Sequence, residues 1–186
     1  NEFVSQISIA SSDSIFEGVG DGDIVTRVNV ELSEWDSDNN DVPDIDESAS
    51  SQLSVLDKYW DAVGWKQPGE SGSAPSWTAS GTPWSAAFIS WIVNDPEFPG
   101  SAAHRVYAES ALQNRIAGKP GWQLFSIKRE NIKVQPGDVL VKPRGGSFNN
   151  SHGDIVYEVS ANKAKLAGGN ISDSMMVDKE IELYTD

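Results

Sequence analysis

The chain contains no cysteine, which excludes disulfides, thiolate metal ligands and thiol nucleophiles together. It contains two histidines, His104 and His152. Two rings without thiols make a His-rich zinc site a poor expectation, and any zinc would need a further ligand such as Asp154. Positive charge is scarce as well: 14 Lys and Arg face 28 Asp and Glu, a formal net charge of -14. Phosphate binding needs Lys and Arg, so the charge argues against nucleic acid and anionic membrane surfaces as partners. Strongly anionic polymers should be repelled. No apolar run approaches the roughly 20 residues of a membrane-spanning helix, so membrane insertion is not expected.

What remains describes one globular domain of 186 residues, 38% hydrophobic and 23% charged. Seven tryptophans are more than a core of this size needs, so some are candidates to line a groove where indole faces stack on sugars, with plain core use the more frequent alternative. Residues 1–22 are rich in Ser, Asp and Gly and read as an arm or linker, leaving 23–186 as the domain. Asp23 can cap a first helix with Ile24, Val25, Val28, Leu32 and Trp35 on one face. A second helix is predicted over 50–63, with Leu53, Leu56, Tyr59 and Trp60 on one face and Gly64 as its stop. A Gly/Ser/Pro loop covers 65–82, a third helix follows Thr82, and Ser101 caps a fourth from Ala102 to Ala117. Short β-rich runs then appear at 123–127, 138–142, 154–160, 163–167 and 179–184. Helices first and strands afterwards predict an α+β fold, with N-terminal helices packed on a small antiparallel sheet.

Two segments carry candidate chemistry. In Thr82-Pro83-Trp84-Ser85-Ala86-Ala87-Phe88-Ile89-Ser90-Trp91, Thr82 suits an N-cap and Pro83 the first helical position. Ser85 then lies in the first turn, where the helix dipole favours negative charge. The second segment is acidic. Asp36, Asp38, Asn40, Val42, Asp44 and Glu47 occupy positions 1, 3, 5, 7, 9 and 12 of an EF-hand-like loop between two predicted helices, a spacing suited to structural Ca2+. Asp41 stands where such loops carry Gly, and Pro43 where they carry an aliphatic residue. The bland alternative is a solvated acidic linker.

The helix Trp84–Trp91 resembles the corresponding helix of the bacterial and phage family DUF2272. So do Phe98-Pro99-Gly100-Ser101-Ala102-Ala103-His104, Pro136-Gly137-Asp138-Val139-Leu140, His152-Gly153-Asp154-Ile155-Val156 and Gly168-Gly169-Asn170-Ile171. Glu34-Trp35 and Tyr59-Trp60 also resemble family positions, extending the likeness over about 24–184. That family is distantly similar to the papain-like NlpC/P60 and CHAP cell-wall peptidases. The resemblance implies a Ser85-His152-Asn170 arrangement, with Ser where those enzymes carry Cys. Trp84, His104 and Asp154 are candidate substrate-binding neighbours. A hydroxyl gains far less from a helix N-terminus than a thiol does, so Ser85 would need a well-aligned base.

Carboxylates offer a competing chemistry. Glycan cleavage needs a carboxyl beside the scissile bond and a second carboxylate or a positioned water. Glu34 lies near a helix end beside Trp35, where an apolar neighbour and nearby negative charge favour a general acid. Glu31 and Glu109 are weaker candidates. The sequence therefore leads to a peptidoglycan hydrolase, with lysozyme-like glycan cleavage by Glu34 favoured over an amidase or endopeptidase, and a wall-binding module without chemistry as the third reading. Asn at position 1 and the linker-like texture after it predict part of a larger antibacterial effector or lysin. Such a protein would act in the bacterial periplasm or cell wall after secretion or phage delivery, with an immunity protein as candidate partner.

Overall fold

The computed structural model describes residues 5–9, 21–38, 40, 43–64, 83–130, 132–144 and 147–183. Among them, four helices of nine or more residues pack on a six-stranded antiparallel sheet, giving an α+β architecture. The helices are α1 (Asp21–Leu32), α2 (Gln52–Ala62), α3 (Ser85–Val93) and α4 (His104–Ile116). The strands are β1 (Ser5–Ile9), β2 (Trp122–Ser126), β3 (Val139–Arg144), β4 (Ser147–Ser160), β5 (Lys163–Ile171) and β6 (Ser174–Glu182). A single turn, α5 (Ile127–Glu130), follows β2. Sheet order is β2-β1-β3-β4-β5-β6.

α3 is the centre of the molecule. Eight of its nine residues are buried, as in a helix enclosed on all sides. It packs on β4 and β5 below and against α1 and α2 above. α1 buries Ile24, Val28 and Leu32 at intervals of four, and α2 buries Val55, Leu56, Tyr59 and Trp60, so each turns one apolar stripe inward. These residues join Trp35, Trp84, Phe88, Tyr107 and Trp122 in the main core. A smaller cluster of Ile127, Val134, Leu140, Val156, Ala164, Leu166 and Leu183 forms a second core.

Several boundaries differ from expectation. Residues 5–9, inside the stretch read as an arm or linker, pair with both β2 and β3 as β1. α1 begins at Asp21, ahead of Asp23. Thr82 and the loop 65–82 lie outside the described residues, and Pro83 precedes α3 rather than opening it. Trp84 takes the N-cap position and Ser85 is the first helical residue. α4 starts at His104, two residues later than read, because the Ser101 hydroxyl accepts from the Ala103 amide while the Ser101 amide donates to Ser90 Oγ. β4 begins at Ser147, ahead of the β-rich run read at 154–160.

Candidate functional site

Two polar clusters emerge, one at the start of α3 and one at the end of α1. In the first, Ser85 Oγ lies 2.7 Å from Nε2 of His104, and the Tyr107 hydroxyl meets Nδ1 of the same ring. Tyr107 reaches that nitrogen because residues three apart share a helix face. A neutral imidazole carries one proton, so it accepts at one nitrogen and donates at the other. Burial, reinforced by the neighbouring His152, lowers the His104 pKa to about 3. The ring is therefore neutral at ordinary pH, and a weak base.

His152 does not face Ser85 in the expected way. Its Nε2 donates to Asp154 Oδ1 at 3.0 Å, and Lys179 Nζ donates to Asp154 Oδ2 at 2.6 Å. Burial alone would raise the Asp154 pKa, but His152 and Lys179 together bring it below the ordinary carboxylate value. The two imidazoles stand edge to face, 5.5 Å apart. Asn170 lies near the end of β5 with a left-handed backbone, φ 57°, and among the described residues it makes no hydrogen bond to His152. The Ser85-His152-Asn170 arrangement is thus replaced by Ser85-His104-Tyr107 beside His152-Asp154-Lys179. Glycines allow this closeness. A side chain at 153 would collide with Tyr107 and His104, one at 168 with Asp154, and one at 169 with Trp84 and Phe88.

Neither cluster exposes much of its chemistry, since Ser85 is buried here and Glu31 is buried in the second. Trp84 is fully buried, so it cannot stack on a sugar, and His104 and Asp154 are also buried. Among the described tryptophans, Trp35, Trp60, Trp84 and Trp122 belong to the core and only Trp91 is half-buried.

At the end of α1 the buried acid is Glu31, not Glu34. Glu34 is exposed, and its backbone carbonyl accepts from Gln52 Nε2 at 2.7 Å. The Trp35 indole does not cover it; that ring turns inward, and its Nε1 donates to the Tyr59 hydroxyl at 2.9 Å. Glu31 is only 3% exposed. Its Oε1 accepts from the Tyr59 hydroxyl and from Lys58 Nζ at 2.7 Å, and its Oε2 accepts from Trp91 Nε1 at 3.2 Å. Burial, the charge of Glu31, its hydrogen bond and the nearby charge of Glu34 together hold the Tyr59 hydroxyl protonated. Both carboxylates therefore lie near one phenol. Glu109 is exposed and paired with Arg105 one turn earlier.

The acidic loop connects the two clusters. Its closing half folds back onto the Trp35 carbonyl, which accepts from the amides of Asp44 at 2.9 Å and Ile45 at 3.1 Å. Asp36 Oδ1 accepts from the Asp38 amide and Asp38 Oδ2 from Asn40 Nδ2. Asp44 caps Ser37 through both its oxygens. Val42 lies outside the described residues. Glu47 is buried, accepts from Trp84 Nε1, and has a pKa raised by burial, with Asp173 and Asp46 adding to the rise. Among the described residues no group of three or more carboxylate or imidazole side chains is gathered as a metal site, and Asp44 would have to turn for the loop to hold calcium.

Sequence reasoning missed the partners rather than the neighbourhoods. Tyr107 was readable as the residue three after His104. Lys58, Tyr59 and Lys179 carried no local signal, because their contacts to Glu31 and Asp154 bridge separate elements.

No curated protein and no solved structure matches the chain. Residues 55–182, from α2 to β6, match the family described as uncharacterized proteins conserved in bacteria, DUF2272, a shorter span than the 24–184 read from motifs. Ser85, His104, His152 and Asn170 fall inside that match, Glu31, Glu34 and the acidic loop precede it, and the chain belongs to the DUF2272 family.

Proposed function

We propose that this domain is a peptidoglycan hydrolase that cleaves the glycan strand with carboxyl chemistry at the C-terminal end of α1. The observation that carries the reading is Glu31. It is a nearly fully buried carboxylate, hydrogen-bonded to partly exposed Trp91 and Lys58, with exposed Glu34 one turn further on. Glycosidic cleavage needs a proton for the leaving oxygen and a second carboxylate that faces the developing positive charge or directs a water. Glu34, in contact with solvent, supplies and recovers the proton. Glu31 has neighbours that only donate to it, which suits the anionic partner. Trp91 gives the sugar an apolar edge. A structural Ca2+ held by Asp36, Asp38, Asn40, Val42, Asp44 and Glu47 would set the loop beside this site. The domain would act in the periplasm or cell wall, delivered as part of an effector or lysin.

A second reading rests on the 2.7 Å contact between Ser85 and His104. It makes the domain an amidase or endopeptidase, with Ser85 attacking a carbonyl and His104 taking its proton. Among the described residues the hydrogen-bond partners of His104 are Ser85 and Tyr107 rather than a carboxylate, and a ring with a pKa of about 3 is a poor acceptor for a serine proton, which favours the glycan reading.

Mass spectrometry of fragments released from purified peptidoglycan separates the readings. Disaccharide-bearing muropeptides are expected, with a loss of about 100-fold or more in Glu31→Gln and Glu34→Gln. Free stem peptides that vanish in Ser85→Ala would replace this with the amidase reading. Binding without release would leave a wall-binding module.

A further inference from the structure

We propose that Tyr59 is a positioning residue for the Glu31 carboxylate, kept in one proton orientation by Trp35, so that the carboxylate and the turn into the acidic loop behave as one hydrogen-bonded unit. The inference rests on the glycan-cleaving role given to Glu31 above. It starts from a count of protons. An indole nitrogen can only donate. Trp35 Nε1 lies 2.9 Å from the Tyr59 oxygen, so that oxygen accepts there. The hydroxyl has one proton of its own, and its other partner is Glu31 Oε1. The proton therefore points at the carboxylate, and no alternative orientation satisfies both contacts.

The rings that hold this geometry cannot swing. Trp35 and Tyr59 are fully buried. Trp84 stacks on both, 4.9 Å from Trp35 and 5.5 Å from Tyr59, and Phe88 meets Tyr59 edge-on at 5.5 Å. A Phe at 59 would fill the same core without desolvating a hydroxyl, so the hydroxyl is informative. Lys58 and Trp91 grip Glu31 from the solvent side, while Tyr59 is its contact with the interior. On the far side of the unit, the Trp35 carbonyl accepts two amides of the loop, from Asp44 and Ile45. A displacement of the loop would reach Glu31 through Trp35 and Tyr59. The groups facing the Tyr59 hydroxyl are Glu31 and Trp35, with Glu34 and Lys58 beside them.

The test compares wild type, Tyr59→Phe and Glu31→Gln on peptidoglycan across pH. Tyr59→Phe should lower kcat about 10-fold with KM within about two-fold, and should move the acid limb of the activity profile to higher pH by about half a unit or more, because the carboxylate loses a donor. A merely structural role would lower the melting temperature and leave the limb in place. Carbon-13 NMR of the Tyr59 ring gives a readout that needs no substrate. Ionisation of Tyr59 should move down in pH in Glu31→Gln, and an unchanged midpoint would overturn the geometry. A silent Glu31→Gln together with a Tyr59→Phe of wild-type kcat and limb would overturn the positioning role while the glycan reading stands. A fully active Glu31→Gln would instead remove the reading on which the inference rests. Should Tyr59→Phe not fold, Trp35→Phe carries the test. Its freed hydroxyl should reduce kcat about three-fold, and wild-type kcat would overturn the inference.

Discussion

His104 is an imidazole whose protonation the fold opposes. In the unfolded chain it takes a proton near its ordinary value of 6.5, whereas in the folded chain it does so at about 3. Above pH 6.5 the ring is neutral in both states and the pH has no effect through it. Between 6.5 and 3 only the unfolded chain binds the proton, so stability falls as pH falls, by about 1.4 kcal/mol per unit. Asp154 contributes in a lower window. Its depressed pKa gives stability above the ordinary 3.8 that is lost only below it. Urea unfolding between pH 7 and 4.5 should therefore show a declining midpoint in wild type and a flatter one in His104→Gln. Equal slopes would mean that the ring is more hydrated than its burial implies. This residue also shows where sequence reading stops. Ser85 was placed in the first turn of a helix from its neighbours alone, and it is there. Its partner was expected to be His152 and is His104, because that pairing depends on how α4 docks against α3 and not on any spacing along the chain.

At the scale of elements, periodicity made most of the fold readable. Leu56, Tyr59 and Trp60 of the predicted α2 face are buried, although Leu53 is exposed, and the helix after Trp84 was legible as α3, since burial leaves a pattern in the sequence itself. β2, β3 and β5 lie close to the β-rich runs at 123–127, 138–142 and 163–167, whereas β4 and β6 begin several residues before the runs at 154–160 and 179–184. The segment joining α1 to α2 was legible as acidic but not as a shape, because its carboxylates can ligate a cation or cap backbone amides equally well. Asp44 does the latter with Ser37. Calcium at 100 times its dissociation constant should stabilise the domain by about 2.7 kcal/mol if the loop binds it. Calorimetric melts should then rise with calcium, fall back with chelator, and lose the difference in Asp36→Asn. Superimposable melts with and without chelator would make the segment a capped turn and no more.

For the whole molecule the dominant quantity is the net charge of -14. Walls rich in anionic polymers should repel this domain over a distance set by salt, about 30 Å at 0.01 M and 8 Å at 0.15 M. Turnover on such walls should rise as salt is increased over that range, while turnover on unmodified peptidoglycan changes little. Salt-independent rates on both would show that long-range repulsion is not limiting.

The sequence by itself determined the α+β class, the approximate elements and the family, because each depends on local pattern or ordered motifs. Only the tertiary structure decided that residues 5–9 enter the sheet between β2 and β3. It also decided that Glu31 rather than Glu34 is buried, that Trp84 belongs to the core, and that His104 meets Ser85. Each of these is a contact between residues distant in sequence or a choice of which way a short segment faces. Such contacts follow from how faces dock, and docking is set by the packing of the entire core.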